Sequence, residues 1–287
     1  MKGIIIKLIG GLYTVKTENK LYECKARGKF RHDKVYPKVG DYVSFDEKNN
    51  YILTVEKRLN ELDRPPICNV TQAILAFSCK EPDFNVRLLD RLLTIIEYKK
   101  ITPIIVITKV DLLNTKEMTL LLKVTSYYKK YYNVVYTSSK KEQGLEEIRN
   151  LLENNITVIS GQSGVGKSSL INAIDANFSL KTNEISKSLG RGKHTTRHTE
   201  LLEICKGMVA DTPGFSKIDF REFTLRDLEN SFIDFQEYKK NCKYATCMHL
   251  SEPGCMVKQA VKDKKILPSR YDSYKLFYNE IEANKKY

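Results

Sequence analysis

Long hydrophobic runs are absent from this sequence of 287 residues, in which no stretch of about 18 consecutive apolar residues occurs. We therefore expect no membrane-spanning segment and no membrane partner. The N-terminus, MKGIIIK, has too short an apolar stretch for a secretory signal. With 41% hydrophobic and 29% charged residues, the chain has the composition of a soluble globular protein, and we expect it in the cytoplasm.

The sequence also lacks internal repeats, and its number of cysteines is odd. Its seven cysteines argue against a disulfide framework in a cytosolic chain. Three of them join one histidine in the pattern Cys-x4-Cys-x-His-x5-Cys, formed by Cys242, Cys247, His249 and Cys255. Three thiolates and one imidazole make a closed tetrahedral set for one structural Zn²⁺. The alternative is a group of buried free cysteines.

The net charge of +13 is concentrated at the two ends of the chain. Residues 1–62 carry 13 Lys and Arg against 8 Asp and Glu, and residues 236–287 carry 11 against 6. The residues between them carry 24 against 21. This distribution favours a polyanionic partner such as RNA. A Lys-rich composition inherited from an AT-rich genome is the alternative explanation.

Hydrophobic patterning divides the chain into a β-rich start and an α/β centre. Five short β-type runs predict a small barrel of the OB type, or else an SH3-like barrel or a β-meander: Gly3–Ile9, Leu12–Thr17, Leu21–Cys24, Tyr42–Phe45 and Tyr51–Glu56. Pro65 and Pro66 then indicate a linker. Beyond residue 70, strands at 73–78, 104–108, 134–137 and 156–160 alternate with helices at 86–98, 118–131 and 145–152. That alternation predicts a parallel sheet covered on both faces. A basic helical tail is expected from about residue 256.

The sequence GQSGVGKS at 161–168 matches the phosphate-binding loop GxxxxGK[ST] at every fixed position. It follows a predicted strand and precedes a predicted helix, the context that this motif requires. Lys167 would contact the β- and γ-phosphates, and Ser168 would bind Mg²⁺. The predicted nucleotide contacts are Gly161, Gln162, Ser163, Gly164, Val165, Gly166, Lys167, Ser168 and Ser169.

Two further segments fit a nucleotide hydrolase. DTPG at 211–214 follows a short apolar run, so Asp211 could hold Mg²⁺ through water and Gly214 could reach the γ-phosphate. The segment GRGKHTTRHT at 190–199 resembles a switch in which Thr195 or Thr196 would complete the Mg²⁺ shell. A surface loop that contacts RNA is the alternative for that segment.

Guanine-specific P-loop proteins carry an Asn-Lys-x-Asp element and a later Ser-Ala-Lys element. Here a predicted strand ends in Thr108-Lys109-Val110-Asp111, and another leads to Ser138-Ser139-Lys140, each one substitution away. Together they favour GTP, with Thr108, Lys109, Asp111, Ser138 and Ser139 at the base. Both elements precede the P-loop, an order that a circular permutation explains.

The catalytic residues are predicted as Lys167, Thr196 and His194. Phe215 stands where many related GTPases have a Gln that orients water, so intrinsic hydrolysis should be slow. His194 is the nearest candidate to position the water, and ordinary surface or phosphate contact is the alternative.

With these motifs in this order, the chain resembles the ribosome small subunit-dependent GTPase A family of bacteria. The matching segments are TKVD at 108–111, SSK at 138–140, GQSGVGKS at 161–168, GRGKHTT at 190–196, DTPGF at 211–215 and the Cys242/Cys247/His249/Cys255 cluster. The resemblance implies a multi-domain α/β protein: an OB-fold RNA-binding barrel at 1–62, a circularly permuted P-loop GTPase domain at 63–220 and a mainly helical zinc-binding domain at 221–287.

The resemblance also implies an activity. It implies a GTPase that binds the small ribosomal subunit and its rRNA late in subunit maturation and hydrolyses GTP to GDP under ribosome stimulation. We expect the protein to be a monomer. The alternatives are an RNA-binding nucleotide sensor and a P-loop ATPase. Thr108 departs from the family's usual Asn, which contacts guanine N7 and braces the P-loop.

Overall fold

The structure is a computed structural model that describes residues 1–28, 30, 35–63, 65–175, 199–211 and 219–284. Of Asp211 only the backbone is described. Among these residues, no helix combines the length and the apolar character needed to cross a bilayer.

The N-terminal region is a closed five-stranded barrel, as the sequence predicted. Its strands are β1 (Lys2–Ile9), β2 (Leu12–Lys16), β3 (Leu21–Ala26), β4 (Tyr42–Asp46) and β5 (Tyr51–Val55). Hydrogen bonding runs in the order β1-β2-β3-β5-β4, and β4 pairs back onto β1 to close the ring. Alternate residues point inward because successive side chains of a strand face opposite sides. The interior side chains include Val15, Cys24, Val43, Phe45 and Ile52.

The central region is a sheet whose five parallel strands lie in the order β10-β9-β8-β11-β13. They are β8 (Gln72–Ser78), β9 (Thr102–Thr108), β10 (Asn133–Tyr136), β11 (Ile156–Ser160) and β13 (Gly207–Asp211). A sixth strand, β12 (Glu200–Ile204), pairs antiparallel with β13.

Helices cover both faces of this sheet. Leu75, Phe77 and Ile105 belong to the apolar cluster that contains α1 (Val86–Tyr98) and α2 (Thr115–Tyr128). Their neighbours Ile74 and Ile104 belong to the opposite cluster, with α3 (Leu145–Leu152) and α4 (Lys167–Ile174). The predicted strand–helix alternation and two-sided cover are therefore confirmed.

The barrel and the central sheet are one continuous hydrogen-bonded surface. Strand β12 pairs antiparallel with β1 at Lys7 and Glu200, and the same two side chains form an ion pair at 3.1 Å. The connection between the two regions contains a small hairpin, β6 (Glu61–Asp63) with β7 (Pro66–Cys68). Pro65 and Pro66 lie in this connection, and Pro66 is the first residue of β7, a position at which the missing N–H of proline is tolerated.

The C-terminal region is mainly helical, as predicted. Its helices are α5 (Leu225–Asn230), α6 (Gln236–Lys239), α7 (Met256–Lys262) and α8 (Pro268–Asn284). The expected helical tail consists of two helices, α7 and α8, and Pro268 starts α8 after a turn. Aromatic side chains fill the space between the helices: Phe220, Phe223, Phe232, Phe235, Tyr274 and Phe277.

A buried arginine fastens these helices to the central region. Arg270 of α8 is fully buried and pairs with Asp90 of α1 at 2.9 Å and with Asp234 at 3.2 Å. The hydroxyl of Tyr128 donates to Asp90 at 2.7 Å, and that of Tyr127 donates to Asp234 at 2.5 Å. Both tyrosines lie on α2 and Asp234 lies in the 3₁₀ turn Ile233–Phe235, so this network joins four elements of the chain.

We expect Arg270→Met to destabilise the protein by about 3–5 kcal/mol, because two buried carboxylates lose their counter-charge. The matched control is Lys275→Met on the same helix, where an exposed pair with Asp272 should contribute at most about 1 kcal/mol. Urea denaturation followed by circular dichroism measures both. Equal losses in the two variants would contradict a role for the buried network.

Candidate nucleotide and zinc sites

The P-loop follows β11 at the carboxyl edge of the parallel sheet. Gly161 opens the loop, and a Cβ at this position would lie 2.2 Å from the carbonyl oxygen of Ala76 on β8. Gly164 and Gly166 have φ of 81° and 89°, in the left-handed region, and Gly166 leads directly into α4. Glycine is required here because no other residue allows both the close approach and this backbone shape.

The side chain of Lys167 lies over the P-loop. Its Nζ donates to the carbonyl oxygens of Gly161 and Gln162, each at 2.7 Å. Burial lowers the pKa of Lys167. Ser168 and Ser169 are exposed in the first turn of α4, which carries no acidic residue. Free N–H groups at such a helix start favour an anion.

The predicted base elements meet the P-loop in one cleft of about 250 Å³. Thr108 ends β9, and Asp111 lies in the 3₁₀ turn Val110–Leu112 that follows. The lining combines the TKVD segment, the SSK segment and the start of α4: Thr108, Lys109, Asp111, Leu112, Ser139, Lys140, Gly166 and Ser169. Segments separated by up to about 60 residues in the sequence therefore share one concave surface that fits a flat base with its phosphates on the neighbouring loop.

Thr108 joins the base cleft to the phosphate loop. Its side chain is almost fully buried, and its hydroxyl donates to the carbonyl oxygen of Val165 at 2.5 Å. Val165 is itself buried inside the P-loop. The shorter side chain at this position therefore retains a brace on the loop.

Two details of the cleft differ from the sequence-based assignment. Ser138 is fully buried and its Oγ accepts from the N–H of Lys141, so its side chain supports the segment from beneath. Leu112 and Lys140 line the cleft although neither was among the predicted contacts. Lys140 completes the SSK element, whereas no sequence signal marks Leu112.

The predicted switch and catalytic residues His194, Thr195 and Thr196 lie outside the described residues, as do Gly214 and Phe215. Asp211 is the last residue of β13, which runs parallel to β11 with Ile156 opposite Met208 and Thr157 opposite Val209. Its backbone therefore ends at the same edge of the sheet as the P-loop.

The cysteine-rich segment places four ligand atoms together, as the spacing predicted. The donor atoms of Cys242, Cys247, His249 and Cys255 all lie within 4.8 Å of one another. His249 Nδ1 is 3.7 Å from Cys242 Sγ and 3.4 Å from Cys255 Sγ. A tetrahedron with zinc bonds of about 2.3 Å to sulfur and about 2.0 Å to nitrogen has sulfur–nitrogen edges of about 3.5 Å. The donor set therefore fits Zn²⁺.

Neighbouring groups contact the cysteine sulfurs and favour the thiolate of Cys255. The N–H groups of Met256 and Lys258 point at the sulfurs of Cys242 and Cys255, at 3.4 and 3.5 Å. Burial opposes ionisation of Cys255, but His249 and the Lys258 N–H outweigh it and lower the pKa of this thiol to about 7.

Glu229 faces the other side of the histidine ring. Its Oε1 lies 3.5 Å from His249 Nε2, and its side chain is fully buried. Burial opposes its charge, yet His249, Lys239 and Arg226 lower the pKa of Glu229 to about 2. A carboxylate behind a ligating histidine fixes the ring and its tautomer. Sequence reasoning missed Glu229, which precedes Cys242 by 13 residues and belongs to no spacing motif.

Comparison with known families agrees with this geometry. A family model described as RsgA GTPase matches residues 55–221, which is more than half of the chain. This chain belongs to the RsgA GTPase family. A second model, described as RsgA N-terminal domain, matches residues 2–52 and so covers the barrel. The resemblance seen in the sequence is confirmed.

Individual RsgA relatives match along their whole length. The small ribosomal subunit biogenesis GTPase RsgA 2 of Oceanobacillus iheyensis is 49% identical, and RsgA of Geobacillus kaustophilus is 47% identical, each over 99% of this chain and 98% of the relative. The crystal structure of YloQ, described as a circularly permuted GTPase, matches with a TM-score of 0.85 at 41% identity, over 98% of this chain and 95% of YloQ. YjeQ from Thermotoga maritima matches with a TM-score of 0.86 at 32% identity, over 98% of each chain.

We expect Gly161→Ala to weaken binding of guanine nucleotides about tenfold or more, because the added methyl group would displace the loop from β8. Gly28→Ala is the matched control, since a Cβ there meets nothing within 4 Å. Titration with a fluorescent guanine nucleotide measures both affinities. An unchanged affinity in Gly161→Ala would show that the loop does not depend on this contact.

We expect Glu229→Gln to weaken zinc binding by about 10- to 100-fold, because the neutral amide no longer stabilises the ligating form of His249. Glu237→Gln changes an exposed carboxylate in the same region and should leave zinc affinity unchanged. Competition with a chromophoric chelator measures the affinity. The same zinc affinity in both variants would show that Glu229 does not support zinc binding.

Proposed function

We propose that this protein is a GTPase that acts in biogenesis of the small ribosomal subunit. The observation that carries the proposal is the cleft in which the TKVD and SSK segments meet the P-loop. Membership of the RsgA GTPase family supports hydrolysis of GTP. The names of the relatives, small ribosomal subunit biogenesis GTPases, support the process.

The proposed roles follow the chemistry of each group. The Asp111 carboxylate accepts from N1–H and N2–H of guanine, and Lys109 packs along the base. The backbone N–H groups of residues 161–169 and the ammonium group of Lys167 hold the phosphates, where negative charge grows as the γ-phosphoryl group leaves. Ser168 would hold Mg²⁺, which neutralises phosphate charge when bound.

The remaining predicted residues extend this proposal beyond the described part of the chain. His194 would order the attacking water, Thr195 or Thr196 would complete the Mg²⁺ shell, and Asp211 and Gly214 would contact the metal water and the γ-phosphate. The zinc set of Cys242, Cys247, His249 and Cys255 would bind one Zn²⁺. That ion would stabilise the C-terminal fold, since all four ligands come from protein.

The proposed partners are the small ribosomal subunit, its rRNA and GTP or GDP. The basic excess at 1–62 and 236–287 favours contact with RNA phosphates, so affinity should fall steeply as salt rises. We further propose that the protein works in the cytoplasm as a monomer, with functional regions at 1–62, 63–220 and 221–287.

Phosphate release from GTP, with and without small ribosomal subunits, tests the function. We expect slow turnover by the protein alone and about tenfold or faster turnover with subunits, as a partner that completes the site can provide. Lys167→Ala should abolish release, whereas Lys123→Ala, an exposed lysine on α2, should not change it.

Three results would contradict the proposal. Release unaffected by Lys167→Ala would exclude the P-loop as the active site. No release even with subunits would indicate a nucleotide sensor, and faster release from ATP than from GTP would indicate an ATPase.

A further inference from the structure

The hydroxyl group of Thr108 has one proton, which is donated in a hydrogen bond within the fold. Val165 O lies at 2.5 Å from Oγ1, and the next acceptor, Phe77 O, lies at 3.3 Å. All three residues are buried, so losing the bond would leave the P-loop carbonyl without a donor. The proton of Thr108 is therefore committed to the loop.

Guanine N7 can only accept a hydrogen bond. An amide side chain at position 108 has two N–H donors, so it can hold the loop with one and reach the base with the other. A hydroxyl has a single donor and cannot do both. The ammonium group of Lys109, the neighbouring donor, is held by the carbonyl oxygen of Glu81.

We infer that Thr108 is a positioning residue that anchors the P-loop and makes no hydrogen bond to guanine N7, so that guanine is selected without a contact to this atom. This inference rests on the proposed binding of guanine nucleotides. It adds that the protein binds 7-deazaguanine nucleotides, in which a C–H group replaces N7, as tightly as the natural ones.

The test measures dissociation constants of GDP and 7-deaza-GDP on the full-length chain, by displacement of a fluorescent guanine nucleotide. We expect the two constants to differ by less than about threefold, which is less than one good neutral hydrogen bond contributes. A preference for GDP of threefold or more would overturn the inference. If GDP itself failed to bind, the proposed function would fail instead, so the two failures are distinguishable.

Three variants at this position separate anchoring from base reading. Thr108→Asn adds a second donor and should raise the preference for GDP over 7-deaza-GDP to about fivefold or more. Thr108→Val removes the donor without changing the shape of the side chain, so the affinities for GDP and 7-deaza-GDP should both fall about tenfold. Thr108→Ser keeps the hydroxyl group and should have the native affinity for both.

The variants can also contradict the inference. A Thr108→Asn protein with the native ratio would show that position 108 cannot reach N7. A Thr108→Val protein with native affinity for both ligands would show that the bond to Val165 does not position the loop. The ratio measured on the native protein needs no variant, so a folding defect in one of them leaves the test decisive.

Discussion

The nucleotide site depends on the register of three parallel strands. Ile74 of β8 lies opposite Ile104 of β9 and Ile159 of β11, so the carboxyl ends of these strands meet at one edge of the sheet. TKVD begins at the end of β9, and the P-loop begins at the end of β11. Ligands of open α/β sheets bind at this edge because the backbone groups and loops there face a common crevice. Register describes how the strands lie beside one another and not their order along the chain. A circular permutation therefore leaves the site intact.

Buried polar contacts connect this edge of the sheet to the rest of the molecule. The bond from Thr108 to the Val165 carbonyl means that the base cleft and the phosphate loop are held by one side chain. Arg270 connects the C-terminal helices to α1, and two tyrosines of α2 join the same network; both helices pack on this sheet. On the opposite side, β12 continues the sheet into the barrel. Both ends of the chain are therefore attached to the regular elements that carry the nucleotide site.

Local patterns predicted most of this architecture. Alternating side chains indicated the barrel strands, and glycine spacing and cysteine spacing indicated the P-loop and the zinc ligands, because each signal lies within about 15 residues. Contacts between distant segments were missed: the pairing of β12 with β1, the approach of Glu229 to His249, and the burial of Arg270, a residue type that is normally exposed. From the sequence, Thr108 could be recognised only as a departure from Asn, and the structure shows its hydrogen bond to Val165. The roles of His194, Thr195 and Thr196 stay predictions.

The proposed function depends most on the binding of guanine by Asp111, in the cleft between TKVD and the P-loop. The most direct measurement is the binding of GDP and XDP to the native protein and to Asp111→Asn. Xanthine carries a carbonyl oxygen where guanine has its 2-amino group, so a carboxylate favours guanine and an amide favours xanthine. We expect the native protein to prefer GDP and Asp111→Asn to prefer XDP. An Asp111→Asn protein that still prefers GDP would contradict this role of Asp111.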